Sequence, residues 1–185
     1  MKKQLEKAET THIKISFWFI AVITLMVLFD NKGNSLMSLT AIFLHEFAHI
    51  FFIVIFGGKI TNFSLCLCEM NIKTEKEFLS KLQNIIISLA GPLMNITLTL
   101  LFWNTYINFA KINLVIGVFQ ILPIISLDGD AVLENLTVKK SSRKIISFIL
   151  LFLLFFIGIS LLFYSKYNFS LLCVSLYLIY LSIKF

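Results

Sequence analysis

Charge is what this sequence has least of. Only 14% of its 185 residues are Asp, Glu, Lys or Arg, against about a quarter in an ordinary soluble domain. So few charges cannot clothe a water-soluble surface. Two prolines and seven glycines exclude a collagen-like, disordered or loop-rich chain. Three cysteines in so apolar a setting make no disulfide framework. What fills the space is apolar: 58% of the residues, twenty of them Phe, with a mean hydropathy of +0.91. The pI near 9.3 would suit nucleic acid, but the cations lie between long apolar runs, so no nucleic-acid partner is expected. The composition predicts an integral membrane protein, with residues 1–185 forming one domain in contact with the lipid bilayer.

Six apolar runs stand out, at residues 15–29, 36–56, 82–103, 112–127, 145–164 and 167–183. A helix needs roughly 20 residues to cross about 30 Å of hydrocarbon. The expected fold is therefore all-α and polytopic, with about six transmembrane helices. Asp30-Asn31-Lys32-Gly33 follows the first run where a signal peptide would have a small-residue cleavage site, so that run reads as an uncleaved anchor. If the N-terminus is cytoplasmic, 13 of the 16 cations fall on the inner side, and only Lys32, Lys111 and Lys166 on the outer. This positive-inside asymmetry predicts that both termini are cytoplasmic. The preference for Lys over Arg, 15 to 1, with many Ile, Asn and Phe, hints at an AT-rich bacterial genome and so a bacterial cell membrane. After the second run, Phe63-Ser64-Leu65-Cys66-Leu67-Cys68 alternates like a short membrane-associated strand. It reads either as a hairpin capping the bundle or as an edge that pairs with a substrate. Cys66 and Cys68 share one face of it and are taken as packing residues rather than metal ligands.

The second run carries the chemistry. It contains His45-Glu46-Phe47-Ala48-His49, and histidines four apart on a helix lie one turn apart on one face. Their imidazoles can converge on a cation, while Glu46, at the edge of that face, can take a proton from a water held there. Glu46 is the only acid in the middle of any apolar run, and an ionisable group at bilayer depth costs about 3 kcal/mol. A metal site explains three such groups together better than a polar cluster that merely joins helices. His12 lies in the N-terminal tail and is given no role.

A catalytic zinc takes three protein ligands and keeps one position open. Asp128, in Leu127-Asp128-Gly129-Asp130, is the favoured third ligand and Asp130 the second choice. Counted back from Lys139 and Lys59, Asp128, His45 and His49 all fall roughly 15–20 Å above the cytoplasmic border if the segments are helical. Pro123 and Gly129 break the helix there, as is tolerated beside a polar cavity. Gly91-Pro92, in the middle of the third run, reads as a close-packing device. Asn95, one turn on, is a polar group at lipid depth that could face the water or a substrate.

In order, His45-Glu46-Phe47-Ala48-His49, Ala90-Gly91-Pro92-Leu93-Met94-Asn95 and Leu122-Pro123-Ile124-Ile125-Ser126-Leu127-Asp128-Gly129 resemble the site-2 protease family of intramembrane zinc metalloproteases. The resemblance covers about residues 36–138. The six-run layout is most similar to the sporulation branch, which releases a sigma factor from a membrane-associated precursor and often carries a C-terminal CBS domain that this sequence does not. The resemblance implies a Zn2+ cofactor, His45, His49 and Asp128 as its ligands, Glu46 as catalytic base, and a site open to the cytoplasm. Three positions depart from the family pattern. Gln120 stands where an Asn is usual, which places any substrate or transition-state contact there in doubt; Ser126 replaces a proline, and Asp130 a second glycine.

The function expected is hydrolysis of a peptide bond in a transmembrane or membrane-associated protein, as in regulated intramembrane proteolysis. With no regulatory domain in the sequence, a second membrane protein is expected to gate the site. The rival classes are a membrane metal transporter or sensor, which would spread charged ligands along a pathway, and an inactive relative that binds membrane proteins, which would not need Glu46.

Overall fold

The computed structural model describes residues 12–15, 24, 30, 33–58, 60–65, 70–74, 79–164 and 170–184. Within them the chain forms six helices, α1 (Asn34–Ile55), α2 (Lys81–Phe102), α3 (Ile107–Ile121), α4 (Asp128–Asn135), α5 (Lys140–Tyr164) and α6 (Ser170–Lys184). Three strands, β1 (His12–Ile15), β2 (Ile60–Leu65) and β3 (Met70–Thr74), make one small sheet. Almost all of the first apolar run, 15–29, lies outside the described residues.

Both ends of α1 and the start of α2 have local reasons. At the start of α1, Ser35 N donates to the Asp30 carboxylate. At its end the left-handed Gly57 (φ 74°) lets Gly57 N donate to Val54 O at 3.0 Å and Gly58 N to Ile53 O at 2.9 Å, the paired bonds of a glycine C-terminal cap. Ser80 opens α2 with a capping box: its Oγ accepts from Gln83 N, and Gln83 Oε1 accepts from Ser80 N. Such a cap is worth about 1 kcal/mol.

Packing is inverted relative to a soluble protein. The buried face of α1 is Ala41, His45, Ala48, His49 and Ile53, at the spacing of one helical stripe. The opposite face exposes Phe43, Phe47 and Phe51, stacked in succession with ring centroids 6.5 and 6.4 Å apart. Small and polar groups inside, large apolar ones outside, is an arrangement that only lipid can cover without cost. Among the described helices, α1, α2 and α5 are long and apolar enough to cross a membrane, while α3 and Cys173–Ile183 of α6 are shorter apolar helices. The chain is a membrane protein.

The fourth run is not helical along its whole length. α3 begins at Ile107, takes Lys111 into its first turns, and stops at Ile121. Leu122, the residue before Pro123, is extended (φ −61°, ψ 134°), as the proline ring requires of its predecessor. With 15 residues, α3 spans about 23 Å, and residues 122–127 run on as irregular backbone. That segment is anchored by α5, since Ile125 N donates to Ser147 Oγ at 3.1 Å. It is also buried by α5 and α6, where Ile124 packs with Leu151, Leu178 and Leu181. The stretch after it forms the short helix α4.

The sheet also differs from expectation. The strand predicted over Phe63 to Cys68 overlaps β2 only at Phe63–Leu65, and Cys66 and Cys68 lie outside the described residues. β2 is the central strand, parallel to β1 (His12↔Asn62) and antiparallel to β3 (Phe63↔Ile72). Both of its edges are taken, so β2 cannot itself be the edge that receives a substrate.

Candidate metal centre

The site forms where α1, α2 and the N-terminus of α4 meet. His45 and His49, one turn apart on α1, turn their Nε2 atoms toward each other, 3.2 Å apart. Asp128 is the first residue of α4, and its Oδ2 lies 3.0 Å from His45 Nε2 and 3.3 Å from His49 Nε2. The histidines are 2% and 8% exposed. His49 Nδ1 donates to the Ile87 carbonyl of α2 at 2.7 Å, so the Nε2 lone pair faces the other two groups. A carbonyl behind a histidine is the usual way a metal ligand is oriented.

Gly91 supplies the space. A Cβ on it would collide with His49 Nε2 and would sit 2.6 Å from His45 Nε2. Any side chain at 91 would press against the Nε2 atoms of both histidines. Gly129 has a related duty one element away, because a Cβ there would strike the Ile121 carbonyl. Its hydrogen lets the start of α4 press against the end of α3 and so brings Asp128 inward.

His45, His49 and Asp128 lie close enough to bind a metal ion, their ligand atoms all within 4.8 Å of one another. Separations of 3.0, 3.2 and 3.3 Å approach the edges of a tetrahedron with bonds of about 2.0–2.1 Å, which are about 3.3–3.4 Å. Two imidazoles and one carboxylate are a donor set that suits zinc. The residues present therefore fit a zinc ion.

The other predicted residues fall as follows. Glu46 is half-buried beside the two histidines. Asn95 is fully buried one turn along α2 from Gly91, and neither its Oδ1 nor its Nδ2 has a partner among the described residues. Gln120 sits in the last turn of α3 with a buried Oε1 that has no partner among the described residues. Asp130, the second choice of ligand, faces away from the histidines: Arg143 Nη1 donates to its Oδ2 at 3.2 Å.

Sequence reasoning missed three contributors. Gly91, in sequence a packing residue, lies one turn from Asn95 on α2, and that spacing marks the face turned to the site. The Ile87 carbonyl carries no signal in its side chain. Arg143 is the single Arg among sixteen cations, but nothing near it in the sequence reports its pairing with Asp130.

No family model and no curated protein matches this chain. A solved structure does: Site-2 Protease from Methanocaldococcus jannaschii, with a TM-score of 0.59 and 20% identity, over 93% of this chain and 89% of that one. At that identity the likeness is one of fold. This membrane chain has the fold of a site-2 protease structure.

Proposed function

We propose that the chain is an intramembrane zinc metalloprotease that cuts a membrane-embedded or membrane-associated protein. The observation that carries this reading is the convergence of His45, His49 and Asp128 among apolar helices, with Glu46 beside the first histidine. Zinc held by these three would supply a Lewis acid there, polarising the scissile carbonyl and lowering the pKa of a water toward neutrality. Glu46 acts as general base: it accepts the proton and then returns it to the leaving nitrogen. Ile87 O holds His49 in the tautomer that presents Nε2, and Gly91 keeps the approach open. The buried Asn95 amide and the Gln120 Oε1, without partners among the described residues, offer contacts to the substrate backbone or to the oxygen that gains charge.

A helical peptide bond is shielded, so the substrate must unwind near the cut. β2 is paired on both sides, so main-chain pairing with an unwound segment falls to the outer edge of β1 or β3. The pairing of β1 with β2 supports an even number of crossings between residues 15 and 60. With the division of cations, it favours six spans, cytoplasmic termini and a site reached from the cytoplasm. The product is then a cytoplasmic factor, and the resemblance to the sporulation branch makes a bacterial sigma factor the first candidate.

The test is to express full-length Glu46→Gln in the host cell and identify by mass spectrometry the membrane protein that stays bound. That protein should be cut by the wild-type chain and left intact by Glu46→Gln. Cleavage undiminished in Glu46→Gln contradicts the assigned base.

A further inference from the structure

Asp128 is delivered to the histidines by a helix of only eight residues, and so short a helix does not hold its own position. Three contacts to one side chain supply what is missing. Arg143, in the first turn of α5, donates from Nη1 to Asp130 Oδ2 at 3.2 Å and to Asp130 O at 3.3 Å, and lies 3.4 Å from Glu134 Oε2. The Arg143 and Asp130 side chains are 12% and 13% exposed, so the pair is shielded from solvent, where charge-assisted bonds are strong and a lone charge is costly. Asp128 and Asp130 share the first turn of α4. A carboxylate at 130 left unpaired would repel Asp128 and compete with it for a cation held by His45 and His49.

We infer that Arg143 is a positioning residue for the metal centre: by holding Asp130 and Glu134 it fixes α4 with Asp128, and not Asp130, turned to the histidines. This rests on the metal-site reading above. All three contacts come from one nitrogen, Nη1, which arginine carries further along its side chain than lysine carries its ammonium. Arg143 touches neither the ligand atoms nor a substrate, and acts only through α4.

The experiment measures zinc affinity of the full-length chain in detergent by competition with a chromophoric chelator, together with melting of the zinc-free protein. Loss of a group that orients a ligand typically weakens metal binding about 10- to 100-fold. Arg143→Met should fall near the upper end, and Arg143→Lys, which keeps the charge but not the reach, near the lower end. Adding Asp130→Asn to Arg143→Met should restore affinity to about the Arg143→Lys level, because the competing carboxylate is gone. A residue that merely stabilises the fold would lower the zinc-free melting temperature, leave zinc per folded chain unchanged and give no such rescue. Wild-type affinity in Arg143→Lys overturns the inference, as does a double variant no better than folded Arg143→Met. If Arg143→Met does not fold, Arg143→Lys decides alone. A wild-type chain that binds no zinc brings down the metal-site reading itself, and this inference with it.

Discussion

At the scale of single residues, His45 and His49 share a face because they are four apart on α1, but it is Gly91 that makes room between them. Gly91→Ala would place a methyl 2.6 Å from His45 Nε2 and closer still to His49 Nε2. We expect it to cost about 1–3 kcal/mol in stability through overpacking and to abolish zinc retention, read by metal analysis and thermal melting; retention at the wild-type level would contradict the close approach. The histidine pair and its glutamate were legible in the sequence, since ionisable groups inside an apolar run need a purpose. Asp128 was legible only as the better of two neighbouring carboxylates. What separates it from Asp130 is Arg143, which lies 13 residues beyond Asp130, and no local pattern reports a pairing across a helix junction.

At the scale of elements, the decisive piece is the segment from Leu122 to Leu127 that ends α3 and launches α4. Ser126 has φ 78°, the left-handed region in which an L residue is strained by roughly 1–2 kcal/mol. Ser126→Gly should therefore stabilise the chain by about 1 kcal/mol. Ser126→Pro, the residue that the resemblance to site-2 proteases would place there, should cost on the order of 2–3 kcal/mol and displace Asp128, since proline is locked near φ −65°. Opposite shifts in melting temperature for the two variants are the expected reading, and a stabilising Pro would show that the backbone takes another path. The apolar runs gave the positions of α1, α2 and α5 because a membrane-crossing helix is written in its hydropathy. They did not give α4, whose eight residues include three acids and no apolar run longer than Ala131-Val132-Leu133, and whose register depends on Gly129 packed against the Ile121 carbonyl. Nor did alternation within 63–68 reveal that the strand there lies between two others, because strand order is set by partners distant in sequence.

At the scale of the whole molecule, the described helices expose many large apolar side chains, while His45, His49 and Asp128 converge on one centre. If the membrane orientation follows the cations, single cysteines at Thr74 on β3 and at Ser141 in α5 should be labelled only from the cytoplasmic side of sealed vesicles. One at Tyr106, between α2 and α3, should be labelled only from the other side. Labelling of Thr74 from outside would overturn both the orientation and the direction from which water reaches the site. The central claim, a zinc centre built by His45, His49 and Asp128 and worked by Glu46, meets its most direct test in the zinc content of purified full-length protein. About one zinc per chain is expected for the wild type and for Glu46→Gln. Asp128→Asn should hold it more weakly than Asp130→Asn, and the double variant His45→Ala/His49→Ala should hold none. Zinc retained in full by the double histidine variant, or absent from the wild type, would contradict it.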